Sequence, residues 1–303
     1  MLKSLDGPRR LLLSLALVAA LTAIVATPAL AVTNGQPDGT NHPQVGLMVA
    51  LDGDGVPLWR CSGTLMSATV FLTAGHCTAP DGEDNPEHVE IWFAPGPIPL
   101  GAGYPSATPG DPCDGIVGYP CVGDIGGTPY THPDWNPDAF FYRDLGIVIL
   151  DAPYAGTTSY GTLPALNSFD AWKTRRGVAK VRFDSVGYGL QKSFPTAASW
   201  KNKAIRERMI AHPRLIQLNV PGFTGDFSLL LSNNTNTGGT CFGDSGGPNF
   251  IAGGLVVAGV TSFGLNGTCG GTGGVFRMDR QWSLDFVNDA LTNGAGLDHY
   301  SGD

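Results

Sequence analysis

Apolar residues along this chain come in short runs separated by Gly, Pro and Asn. Examples are "QVGLMVAL", "SATVFL", "HVEIWF", "LGIVIL", "VAKVRF", "RLIQLNV", "FSLLL" and "GLVVAGVTSF", each the length of one strand. Many short strands with turn residues between them predict an all-β protein built as barrels or a sandwich. One segment breaks the pattern. In "DRQWSLDFVNDAL" (Asp279 to Leu291) the apolar positions follow helical spacing behind an aspartate able to cap it, which predicts a single helix near the C-terminus. The stretch from Pro95 to Pro137 is rich in Gly and Pro and carries Cys113 and Cys121, which predicts a long surface loop stapled to itself.

The longest apolar run, Leu11 to Ala26, is read differently. It follows Lys3, Arg9 and Arg10 and is succeeded by Ala29-Leu30-Ala31, the order of a secretory signal peptide with a small-x-small cleavage site. A membrane anchor is the alternative, and Pro28 with the Ala-x-Ala ending favours cleavage. No later run is long and apolar enough to span a bilayer, so no membrane association is expected after cleavage. The domain reading is therefore a signal peptide over 1–31, one folded unit over 32–291 and a frayed tail over 292–303.

Composition agrees with this. Of 303 residues 43 are Gly and 23 Pro, while charged residues make up 15%, which suits turns and strands better than helical bundles. Loss of residues 1–31 removes three basic residues and Asp6 and takes the net charge from −8 to about −10, which argues against nucleic-acid binding. All six cysteines, Cys61, Cys77, Cys113, Cys121, Cys241 and Cys269, lie in the exported part, and their even number predicts three disulfides. Six cysteines allow about fifteen pairings, so the count alone leaves connectivity open.

Two stretches carry candidate chemistry. In "GTCFGDSGGPNF" Ser245 sits among Gly243, Asp244, Gly246 and Gly247. A serine hydroxyl attacks a carbonyl only with a base to take its proton, a group to orient that base and donors for the oxyanion. Glycines beside the serine let the N–H groups of Gly243 and Ser245 approach a reacting carbonyl, although a plain flexible turn has the same composition. Upstream, "TAGHC" sets His76 beside Cys77 at the end of an apolar run. A metal site would require further His or Cys at ligand spacing, and only Cys77 is near.

Together the two stretches resemble the signature sites of the chymotrypsin-like (trypsin-fold) serine proteases, and the resemblance spans most of residues 32–291. It implies two packed six-stranded antiparallel Greek-key barrels followed by a C-terminal helix, with the active site between the barrels. It also implies His76 as general base and Ser245 as nucleophile, with Gly243 and Ser245 forming the oxyanion hole. The third member of the family's triad heads a strand of the form Asp-apolar-small-apolar-apolar. "RDLGIVIL" supplies it at Asp144, whereas Asp134, Asp138 and Asp151 do not head such a run. "SVGYGL", "TSFG" and "GGVFRM" resemble further family stretches, and Ser262 in "TSFG" would support Asp144. By the same likeness Cys61 pairs with Cys77 and Cys241 with Cys269, leaving Cys113 for Cys121 as a bridge the family lacks.

The resemblance also bears on specificity. Gly239 falls at the floor of the family's pocket, where an acid would select Lys or Arg. With Thr240, Ser262, Phe263, Gly264 and Gly274 it implies a neutral, roomy pocket for aromatic or large aliphatic residues. After Ala31 the chain reads "VTNGQP", which is similar to the family's mature amino terminus. This implies that the ammonium of Val32 pairs with Asp244, and that signal cleavage itself exposes it. The expected function is a secreted serine endopeptidase acting as a monomer on protein or peptide substrates, with a catalytically silent binding protein as the alternative. No cofactor is expected. The acidic run "DGEDNPE" (Asp81 to Glu87) is a candidate structural calcium site, for which a solvated turn is the commoner explanation. Asn233 and Asn266 begin N-x-Thr sequons.

Overall fold

Apolar runs that are buried on both faces become barrel staves. In the computed structural model, which describes residues 32–139, 141–172, 181–191, 205–220 and 225–294, strand β2 (Val45–Leu51) is buried at every position. The segment read as a signal peptide, and the tail from 295 onward, lie outside the described residues. A two-residue strand, β1 (Gln36–Pro37), comes first, and after β2 follow β3 (Pro57–Leu65), β4 (Val70–Thr73), β5 (His88–Trp92), β6 (Ile125–Thr131) and β7 (Gly146–Leu150). Strands β2 to β7 close into an antiparallel six-stranded barrel in the order β2-β3-β4-β7-β6-β5.

The second half contains β8 (Phe183–Gly187), β9 (Met209–Ala211), β10 (Leu215–Val220), β11 (Gly225–Asn233), β12 (Pro248–Ile251), β13 (Val257–Gly264) and β14 (Gly271–Arg277). Together with β1 they form an eight-stranded sheet in the order β1-β9-β8-β12-β13-β14-β11-β10. This half is a half-barrel whose edge strands β1 and β10 are not paired with each other among the described residues, and packed on the closed barrel it gives the two-barrel β architecture that the resemblance implied. One apolar core joins the halves: Leu47, Phe71 and Ile147 of the barrel belong to the same buried cluster as Phe250 and Val260 of the sheet and Phe286. Burying an aromatic or aliphatic side chain of this size contributes about 1.5–3 kcal/mol each.

Two expectations are corrected here. The segment from Pro95 to Pro137 is not all loop, since its "IGGTPYT" forms β6 and pairs with β5 and β7. Glycine is needed in that strand: a Cβ on Gly127 would lie 2.6 Å from Val148 Cγ1 and 2.7 Å from the carbonyl oxygen of Ile149. The C-terminal helix runs Gln281–Asn293, two residues later than expected at each end. Asp279 does not cap it, because its carboxylate accepts from the Arg277 guanidinium at 2.7 and 2.8 Å and from the Phe169 N–H at 2.8 Å. Among the described residues no helix is long and apolar enough to cross a membrane.

The disulfides are Cys61–Cys77, Cys113–Cys121 and Cys241–Cys269, the pairing the family resemblance implied.

Candidate active site

Strand β4 ends at Thr73 and the chain turns into a single helical turn, α1 (Gly75–Thr78), which carries His76. Gly75 is required at the turn, since a Cβ there would approach Trp135 Cδ1 to 2.8 Å and the Leu145 backbone to 3.1 Å. The Cys61–Cys77 bridge ties α1 to β3 immediately beside the histidine. Asp144 lies two residues before β7, which pairs with β4, so strand pairing alone brings acid and histidine together.

Asp144 is fully buried and its hydrogen-bonding capacity is taken up. It accepts from the His76 backbone N–H at 2.9 Å, from His76 Nδ1 at 3.0 Å to each oxygen, and from Ser262 Oγ of β13 at 2.5 Å. A proton held on Nδ1 by the carboxylate leaves Nε2 as the basic nitrogen. The His76 side chain is 25% exposed. Its burial lowers the imidazole pKa, but the charge of Asp144 and the hydrogen bond to it outweigh that, and the net shift is upward from 6.5.

Ser245 comes from the other sheet, in the turn before β12. Gly243 and Gly246 have φ of +93° and +79°. A Cβ on Gly246 would fall 2.0 Å from Thr73 Oγ1 and 2.4 Å from the Ser62 carbonyl oxygen, so the chain can approach β3 and β4 only as glycine. Ser62 clamps the turn from the barrel side: its N–H donates to the Ser245 carbonyl at 2.7 Å and its Oγ to the Gly243 carbonyl at 2.8 Å. The sequence reading missed Ser62, whose only signal is its place one residue after a cysteine. Among the described residues the N–H groups of Gly243 and Ser245 have no acceptor, as a site for an incoming oxyanion requires.

Asp244, between them, points inward and is buried. Its carboxylate accepts from the N–H groups of Gly189 and Cys241, each at 2.8 Å. Burial pushes its pKa up to about 7, against the pull of those two N–H groups and the charge of Arg60. Val32 is also buried, packed with Met209 and Ala211. Thr33 fastens this segment under the site: its carbonyl accepts from Gly239 N–H at 3.1 Å, and its hydroxyl donates to Asn233 Oδ1 at 2.8 Å. In the full chain the Val32 nitrogen is a peptide nitrogen, and it is not among the partners of Asp244. Asn233 is buried and bonded, so this sequon is inaccessible in the folded chain.

His76 and Ser245 open together onto a cleft of about 560 Å³. Of the residues assigned to the pocket, Thr240, Ser262, Phe263 and Gly264 line it; Gly239 and Gly274 do not. Gly239 is backed by Asn233, whose Cγ lies 2.4 Å from where a Cβ would stand, and the Phe263 ring covers Gly274 at 2.2 Å from the equivalent point. Phe242 and Leu265 line it while 44% and 51% exposed, and among the described residues no acid lines the cleft.

The acidic run meets Asp52 and Asp54 of the β2–β3 turn around an exposed hollow that shares no lining residue with the cleft. Asp52 is engaged there as a turn acceptor for the N–H groups of Asp54 and Val56, which is the solvated-turn arrangement. The sulfurs of Cys61 and Cys77 lie close to the His76 ring, but they are joined in the disulfide and offer no thiolates to a metal.

The arrangement sets a histidine paired with a buried carboxylate and a serine flanked by unengaged backbone N–H groups on one cleft. A family model described as Trypsin matches residues 123–280. Among solved structures, HL collagenase superposes with a TM-score of 0.60 at 17% identity, covering 86% of this chain and 98% of that chain. Human heparin binding protein does so with a TM-score of 0.56 at 17% identity, covering 86% and 97%. At these identities the superpositions speak to fold alone. A comparison with curated proteins gives no significant match.

Proposed function

The chain belongs to the trypsin family, and from that premise we propose that it is a secreted serine endopeptidase. The observation that carries this reading is the buried Asp144, holding His76 by two hydrogen bonds where the imidazole opens onto the cleft shared with Ser245.

In this reading Nε2 of His76 takes the Ser245 proton as Oγ attacks the scissile carbonyl, and the N–H groups of Gly243 and Ser245 receive the oxyanion. Imidazolium forms beside ionised Asp144, which stabilises it. His76 then gives the proton to the leaving amine, and water repeats the sequence on the acyl-enzyme. Ser262 keeps Asp144 oriented while the charge moves.

For the residue before the scissile bond we propose an aromatic or large aliphatic side chain, because Thr240, Phe242, Phe263 and Leu265 offer it a neutral, largely apolar wall. Residues 32–291 are the catalytic unit in this account, with 1–31 removed on export and Val32 as the mature terminus. Three disulfides support an oxidising destination.

The test is turnover of peptide substrates by Ser245→Ala and His76→Ala, each expected to lose about 10⁴ to 10⁶ with the fold intact. A folded Ser245→Ala protein with more than a tenth of the parent activity contradicts the assignment. A parent chain that binds peptides without cleaving them would identify a silent binding protein.

A further inference from the structure

A second groove of about 400 Å³, sharing no lining residue with the cleft, meets the Ser245 turn at Arg60. One wall is Trp59 and Arg60 of β3; the other is Leu100, Tyr104 and Tyr119 of the insertion between β5 and β6, with Arg206 at its end. The Cys113–Cys121 bridge and the Gly101 N–H bond to the Tyr119 carbonyl at 2.7 Å hold the insertion in place.

Among the described residues neither guanidinium in this groove forms a salt bridge with a carboxylate, although the charge of Arg60 reaches the buried Asp244. Arg206 stacks over the Tyr119 ring at 4.4 Å and donates from Nε to the Ile98 carbonyl. The guanidinium of half-buried Arg60 has no hydrogen-bond or salt-bridge partner among the described residues. Elsewhere this acidic chain sets carboxylates against its buried arginines: Asp38 on Arg208, Asp279 on Arg277, Asp226 on Arg280. Burial lowers the Arg206 pKa, Tyr119 opposes this, and repulsion from Arg60 adds to the lowering, a load that an anion between the two would relieve.

The position of Arg60 ties the groove to the reaction. A Cβ on Gly243 would lie 3.5 Å from Arg60 Nε, so the guanidinium stands directly beside the oxyanion turn. With the cleft taking the acyl side of an extended substrate, as the peptidase reading has it, this groove, which shares no lining residue with the cleft and meets the Ser245 turn through Arg60, is assigned to the leaving-group side. At about 3.3 Å per residue, the groove is reached within three residues of the scissile bond.

We infer that Arg60 and Arg206 form a leaving-side subsite for an acidic side chain, so that the preferred substrates are polypeptides with Glu or Asp within three residues after the scissile bond. The inference rests on the peptidase reading above and specifies its substrate class.

The test is a series of internally quenched peptides with a constant acyl side and Glu, Gln or Lys at each of the three following positions. At one position Glu is expected to exceed Gln in kcat/KM by about tenfold, with Lys below both, and the preference should shrink with added salt. In Arg60→Gln and Arg206→Gln the Glu-to-Gln ratio should fall towards one. A role of Arg60 at the oxyanion or on Asp244 instead would slow both peptides equally and leave the ratio intact, which overturns the subsite. So does a parent enzyme indifferent to Glu and Gln at all three positions. In parallel, fluorescence anisotropy measures binding of labelled Glu and Gln peptides to the Ser245→Ala protein. Tighter Glu binding in a chain whose parent cleaves nothing upholds the groove and sinks the peptidase reading; equal binding overturns the groove whatever the turnover.

Discussion

The hydroxyl of Ser262 donates to Asp144 at 2.5 Å, from β13 of the open sheet to the carboxylate that heads β7 of the barrel. One buried oxygen thus joins the two halves at the point where His76 is oriented. A hydrogen bond to a buried charge is worth about 1.5–3 kcal/mol. Ser262→Ala is therefore expected to lower kcat by about ten- to a hundredfold with a smaller change in KM. Steady-state kinetics on one good peptide checks it.

His76 sets the pH dependence. Its folded pKa is raised above 6.5, so kcat/KM should rise with pH through an apparent pKa above that value as the imidazole becomes neutral. Stability runs the other way. A raised histidine pKa means that the pair with Asp144 contributes fully below the unfolded value of 6.5, and that the contribution is lost as pH rises through the folded pKa. Asp144→Asn should cut kcat by about 10⁴ near neutral pH and flatten both effects. A pH–rate profile paired with urea unfolding at each pH measures this.

The fold was largely legible in the order of apolar runs, and what escaped has identifiable causes. Strand β6 was hidden because "IGGTPYT" contains two glycines and a proline, and its partners β5 and β7 make it a strand. Asp279 looked like a helix cap because nothing in the local sequence announces that Arg277 and Phe169 claim its carboxylate. In the site, the motifs name His76, Asp144 and Ser245 but say nothing of distances. Whether Gly239 and Gly274 lie open depends on Asn233 and Phe263, side chains reaching over from neighbouring backbone. Ser62 and Arg60 stand in β3, where no motif marks them, and matter only because the Ser245 turn folds against that strand.

The contact between Phe263 and Gly274 leaves no room for a methyl group. Gly274→Ala is expected to destabilise the protein by about 1–3 kcal/mol through overpacking and to displace the ring from the cleft wall. Phe263→Leu in the same chain should restore part of the loss. Thermal unfolding of the two single variants and the double variant shows it, as an interaction energy outside simple additivity.

Asp244 carries the expectation for maturation. Its pKa of about 7 means that the neutral form stabilises the fold below the unfolded carboxylate range and that this contribution is lost as pH rises through 7. An ammonium at Val32 would hold the ionised carboxylate and remove that loss. A protein beginning at Val32 should be active at pH 7–8. A form with one or two residues before Val32 should be inactive until trimmed. Equal activity of a blocked, extended form rules the pairing out.

The central claim is that Ser245 is an activated nucleophile, and a fluorophosphonate reports on it in one reaction. Intact-protein and peptide mass spectrometry after treatment should show a single adduct on Ser245, absent in Ser245→Ala and strongly slowed in His76→Ala. A folded, disulfide-bonded chain trimmed to Val32 that stays unlabelled at Ser245, or is labelled equally fast without His76, contradicts the account.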